Sequence, residues 1–127
     1  MGDYLMSLIK ANNITNTTGG IPTVKGQRLI PTAWVNFNGE NTVAINDDEN
    51  VSSVTDIAAL GQYQINFTTA MANANYCPLL SINYDLDNSP FISHITTTSY
   101  RVKMYMGSGG IYRDVSGVYS AVLGGQA

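Results

Sequence analysis

The chain has 127 residues, 44% of them hydrophobic but only 12% charged, with a formal net charge of −3. That length supports one core and not two, since a chain this size buries roughly two-thirds of its unfolded surface. Six Lys and Arg scattered along an acidic chain give no basic face for nucleic acid and no polybasic membrane signal, and a lone cysteine, Cys77, excludes an internal disulfide and a four-cysteine zinc site.

Residues 1–31 read as a lead-in. Tyr4, Leu5, Leu8 and Ile9 fall at helical spacing, which predicts a short amphipathic segment. A helix of about ten residues is marginal alone in water, so a partner chain is expected to order it. Met1 to Lys10 has neither a basic leader nor a small-residue cleavage site, so no signal peptide is expected. Asn12 to Gly20 is polar and turn-forming. No run reaches the roughly 20 apolar residues of a membrane helix.

Residues 32–127 show short period-two runs separated by turn signals, the pattern of an all-β protein. Thr32 to Asn38 places Ala33, Val35 and Phe37 on one face and Trp34, Asn36 and Asn38 on the other. Asn38-Gly39 signals a hairpin, and Thr42 to Asn46 follows with Val43 and Ile45 inward. Asp47 to Asn50 reads as a turn, Val51 to Ile57 as a strand, and Ala58 to Gly61 as a loop. Gln62 to Thr69 alternates cleanly, with Tyr63, Ile65 and Phe67 in phase. Asn75 to Tyr84 keeps Tyr76, Leu80, Ile82 and Tyr84 in one phase, and Pro78 marks an edge or a bulge. Asp85 to Pro90 reads as a loop, Phe91 to Thr98 as a strand, and Ser99 to Met106 as another with Tyr100, Val102, Met104 and Met106 inward. Gly107 to Gly110 turns the chain, and Gly117 to Leu123 closes the domain. The expectation is an antiparallel β-sandwich of about eight strands.

In this order, several local sequences resemble a known domain. They are Ala33-Trp34-Val35-Asn36-Phe37-Asn38-Gly39, Thr42-Val43-Ala44-Ile45, Asn50 to Asp56, Gly61 to Met71, and Asn73-Ala74-Asn75-Tyr76. Together they are similar to a domain found at the ends of many bacteriophage tail fibres and minor tail proteins. Ile9 to Ile14 and Thr17 to Gly20 resemble the segment that joins a fibre shaft to such a tip. The resemblance implies a homotrimer at the distal end of a fibre, in the virion, binding a bacterial surface receptor and attached to the rest of the tail fibre. Cys77 to Thr98 has no counterpart in the pattern, so no binding residue carries over.

The residues give little support to catalysis. His94 is the only histidine, in Phe91-Ile92-Ser93-His94-Ile95, with no cue to a partner nucleophile or acid. Asp47, Asp48, Glu49, Asp56, Asp85 and Asp87 read as solvated turn residues rather than a glycosidase pair. Asp85-Leu86-Asp87-Asn88 alternates oxygen side chains but lacks the glycine and glutamate of a calcium loop. Neither an enzyme, a metal nor a cofactor is expected, save that His94 near a three-fold axis would recur three times as a metal site.

Glycan binding needs flat rings beside hydrogen-bonding groups, and eight tyrosines supply both. The segments with most binding character are Tyr84 to Phe91, with Tyr84, Asp85, Asp87 and Asn88, and Met106 to Arg113, with Tyr112 and Arg113. The second also reads as a plain hairpin turn. Tyr105 belongs with them on the face shared by Arg101 and Lys103. Trp34, beside Asn36, reads either as a receptor contact or as part of the trimer interface, and it is assigned to that interface with Leu5, Leu8 and Ile9. The expected partners are two further copies of the chain and a surface polysaccharide or other receptor. A structural trimerisation or capping module without receptor contact is the alternative.

Overall fold

The computed structural model describes residues 17–18, 23–24, 27–28, 30–58, 60–84, 88–107 and 109–125. Two compact units divide the chain, Met1–Ile30 and Pro31–Ala127. In the first, strands β1 (Thr23–Val24) and β2 (Gln27–Arg28) pair antiparallel, a small ladder that the lead-in reading did not include. Leu5, Leu8 and Ile9, and the helical segment assigned to them, lie outside the described residues.

The second unit is all-β. Its strands are β3 (Ala33–Asn38), β4 (Ala44–Glu49), β5 (Val51–Asp56), β6 (Gln62–Phe67), β7 (Cys77–Ile82), β8 (Asn88–Ser93), β9 (Ser99–Met106), β10 (Ile111–Tyr112) and β11 (Val118–Leu123). They form two antiparallel sheets, one ordered β4-β3-β11-β7 and the other β10-β9-β6-β5 with β8 also on β9. Met104 explains how β9 holds three neighbours. Its N–H donates to Gly61 O and its carbonyl accepts from Arg113 N, so β6 and β10 share one edge of β9 and β8 takes the other. The arrangement is a sandwich, with one more strand than expected because of the two-residue β10.

Alternation builds the core. Inward positions of β3, β6, β9 and β11 supply Val35, Phe37, Tyr63, Ile65, Tyr100, Val102, Met104, Val118 and Val122, all buried. β-branched and aromatic side chains suit this pleated, half-buried surface. Phe37 meets Tyr63 edge to face at 5.3 Å, and Phe67 meets Tyr76 at 5.6 Å. The buried hydroxyls are paired: Tyr100 donates to Ser120 Oγ at 2.8 Å, and Ser120 donates on to Leu79 O at 2.7 Å.

Three boundaries differ from the sequence expectation by three residues or more. Asp47 to Glu49 belong to β4, not to a turn; the turn is Asn50 alone, at φ 54°. A bulge at Asn36/Phe37 shifts the β3–β4 register, and the edge position keeps the acidic side chains near water. Asn50 pins this corner, accepting Thr69 N–H at 2.8 Å on Oδ1 and donating to Thr69 O at 3.2 Å. Asn88, Ser89 and Pro90 are strand, not loop, and the strand ends at Ser93 rather than Thr98. His94, at φ 50°, breaks it. Pro78 and Pro90 both sit on edge strands, where a missing N–H donor is tolerated.

Candidate functional site

The two outer faces of the sandwich differ chemically. On the five-stranded sheet, register places Phe91 opposite Lys103, Ser93 opposite Arg101, and Tyr105 between Ser89 and Tyr112. Gln64 and Gln62 stand across from Arg101 and Lys103 on the other side. The Lys103 ammonium lies 5.9 Å from the ring centroids of both Phe91 and Tyr112, within cation–π range. Tyr105 meets Tyr112 edge to face at 5.4 Å. These contacts hold the rings on three neighbouring strands, β8, β9 and β10, rather than on a loose loop.

Beside the rings runs a chain of polar side chains. Arg101 Nε donates to Gln64 Oε1 at 3.1 Å, and Gln64 Nε2 donates to Asn66 Oδ1 at 2.9 Å. Asn66 Nδ2 donates to Ser53 Oγ at 3.0 Å and Thr55 Oγ1 at 3.1 Å. Each amide is thereby held in one orientation. The face combines aromatic rings, fixed amides and two cations, the set that sugar hydroxyls and ring faces require.

Tyr84 and Arg113 come together elsewhere. Arg113 Nη1 donates to the Tyr84 hydroxyl, and its guanidinium lies 5.7 Å from the Tyr84 ring. They line a polar cleft of 350 Å³ with Glu40, Asn41, Leu60 and Asp114. Tyr112 and Arg113 are consecutive, so their side chains leave the strand on opposite sides. The residues expected to contact a receptor therefore occupy two places, Tyr105 with Tyr112 and Tyr84 with Arg113. Asp85 and Asp87 lie outside the described residues. Asn88 begins β8 opposite Met106.

Beneath the cleft, Asp114 Oδ1 accepts from Gly61 N–H at 2.6 Å and from the Tyr63 hydroxyl at 2.7 Å. Tyr63 also lies 2.9 Å from Gly39 O. Burial first, then the hydrogen bond and negative charge of Asp114, push the Tyr63 pKa far above the tyrosine range. This buried group holds three loops together. It is a support for the cleft, with no opening to a substrate given by these contacts.

The outer face of the four-stranded sheet carries a largely apolar groove, edged by Asn36 and Ser81. Trp34, Leu79, Tyr119 and Ala121 line this groove of 340 Å³, and Leu79, Tyr119 and Leu123 are 51%, 42% and 48% exposed. Glu49 and Asp47, opposite Trp34 and Asn36, border it. Trp34 thus stands on an outer face, as alternation predicts, among apolar neighbours that within-strand reading did not bring to it. His94 is exposed, with Nδ1 3.2 Å from Ser93 Oγ. No group of three His, Cys, Asp or Glu able to hold a metal occurs among the described residues.

Sequence reasoning missed Phe91 and the Gln64–Asn66 ladder as site residues. Alternation marked them as outward or placed them in a strand, but only cross-strand register sets them beside Lys103 and Arg101. No protein-family model, no curated protein and no solved structure matches the chain.

Proposed function

We propose that this chain is the distal, receptor-binding domain of a bacteriophage tail fibre, a non-enzymatic sandwich that docks on a bacterial surface polysaccharide. The observation that carries the reading is the cluster of Phe91, Lys103, Tyr105 and Tyr112 on one sheet face. Half-exposed rings fixed by neighbours rather than by a core are suited to stacking on sugars, and the adjoining amides are suited to their hydroxyls. The local sequences from Ala33 to Tyr76 point to the same role by resemblance.

Replacing Tyr105 and Tyr112 together with alanine is expected to weaken adsorption to host cells at least roughly tenfold, the scale of an aromatic hot spot. The native circular dichroism spectrum should remain. Cell-binding assays and competition with phage adsorption measure the effect. Unchanged adsorption by a folded double variant would leave the chain as a capping module without receptor contact.

The apolar groove suits the other half of the proposal, self-association as a homotrimer. Large apolar side chains bordered by carboxylates match the buried centre and polar rim of a subunit contact. Trp34→Glu puts a charge in that centre, and it is expected to convert a trimer to monomers in size-exclusion chromatography with light scattering. A trimer that survives both Trp34→Glu and Leu79→Glu would place the subunit contact elsewhere.

A further inference from the structure

The charge distribution of the sandwich separates its two outer faces and bears on what the aromatic face binds. Of the six Lys and Arg, three fall after residue 31, namely Arg101, Lys103 and Arg113, against eight carboxylates there. The unit therefore carries a formal −5, from 3 − 8. Two of its three cations nevertheless stand on one face of β9, two residues apart and so roughly 7 Å along the strand. The positions facing them across the sheet are Ser93, Gln64, Phe91 and Gln62, with Ser53, Thr55 and Asn66 beyond. None is a carboxylate. The described carboxylates sit on the β3–β4 hairpin and β4, at the end of β5 opposite inward Tyr63, and at Asp114.

Lys103 is accordingly held between two rings with no carboxylate counter-ion among the described residues. Gln64 takes one of the five N–H donors of Arg101. A face with two incompletely paired cations on an otherwise acidic unit repels its own kind of surface and attracts anions. Rings on either side of Lys103 give flat apolar contact at the same place.

We infer that the Phe91–Lys103–Tyr112 face takes an acidic glycan, with a carboxylate or phosphate group on Lys103 and Arg101 and a sugar ring on the aromatic side chains. The inference rests on the receptor-binding reading and specifies its ligand. Neutral polysaccharide would leave both cations without an anionic partner. Nucleic acid fits less well, because two cations release few counterions.

The test uses the full chain against immobilised polygalacturonate, a glucosylated glycerol-phosphate teichoic acid, dextran and inorganic polyphosphate, alongside adsorption to a panel of bacterial strains. Binding to one or both acidic sugars is expected, with none to dextran and little to polyphosphate. Lys103→Gln is expected to weaken it about tenfold, the scale of one charge-assisted hydrogen bond, and Arg101→Gln similarly. Moderate salt should weaken it as well. The acidic-sugar sources separate by which of the first two polymers binds. Equal binding to dextran, or cell adsorption indifferent to both substitutions, overturns the charge assignment and leaves the receptor reading standing. Polyphosphate binding as tightly as the sugars overturns the glycan part. Failure to bind any polymer and any strain overturns both.

Discussion

Gly61→Ala is expected to destabilise the sandwich by about 3 kcal/mol or more, lowering its melting temperature by on the order of 15 °C. Gly61 has φ +57°, and a Cβ there would stand 2.4 Å from Arg113 O and 2.6 Å from Arg113 N. Both are backbone atoms, so no side chain can swing away. The peptide is also pinned on both sides: its N–H donates to Asp114 Oδ1 at 2.6 Å and its carbonyl accepts Met104 N–H at 2.8 Å. Relief requires moving the 113–115 segment off β6, which breaks the Tyr63–Asp114 contact and shifts Tyr112 out of its place beside Lys103. Loss of stability and loss of adsorption should therefore appear together. Gly109→Ala is the control, since a Cβ there meets only Ile111 Cγ1 at 3.7 Å, and a change within about 0.5 kcal/mol is expected. Thermal melts of the two variants side by side decide the matter. If Gly61→Ala melts with Gly109→Ala, the close approach does not constrain the fold.

The same contrast shows what alternation reveals and what it hides. Ala33, Val35 and Phe37, or Tyr63, Ile65 and Phe67, declare their inward phase within a single strand, because side chains change face at every residue. Trp34 is placed outward by that logic. Its neighbours Leu79 and Tyr119 come from β7 and β11, and β11 pairs between β3 and β7. No local pattern specifies that order. Phe91 beside Lys103 depends likewise on the β8–β9 register. The misplaced boundaries have a common origin in edge strands. Asp47 to Glu49 and Asn88 to Pro90 carry turn-type residues, which a strand accepts when one side of its backbone needs no partner. Tyr84 with Arg113 was legible as two binding-type residues, but their separation from Tyr105 and Tyr112 follows from the opposite sides taken by Tyr112 and Arg113.

Alkali is expected to unfold the protein steeply between about pH 10 and 12 through three buried tyrosines. Tyr76 and Tyr100 are each pushed up to about 12, mainly by burial, and Tyr63 is raised further by burial and by Asp114. All three are 5% exposed or less. In the unfolded chain these hydroxyls lose their protons near pH 10, whereas the folded chain keeps them. The unfolded state then binds fewer protons, so stability falls as pH rises. The contribution is complete below about pH 10 and disappears as pH climbs through the folded values. Three such groups give a slope of about 3–4 kcal/mol per pH unit near pH 11, large against a total of about 5–15. Urea midpoints taken across this range should stay level up to about pH 9 and then collapse. Tyrosinate absorbance should show these three of the eight tyrosines appearing only with unfolding. Tyr100→Phe removes one titrating group and is expected to flatten the slope by about a third. Its loss of the Ser120 contact lowers stability at neutral pH by about 1 kcal/mol. A shallow alkaline limb with all tyrosines titrating together below about pH 11 would mean that these hydroxyls are not shielded as their contacts require.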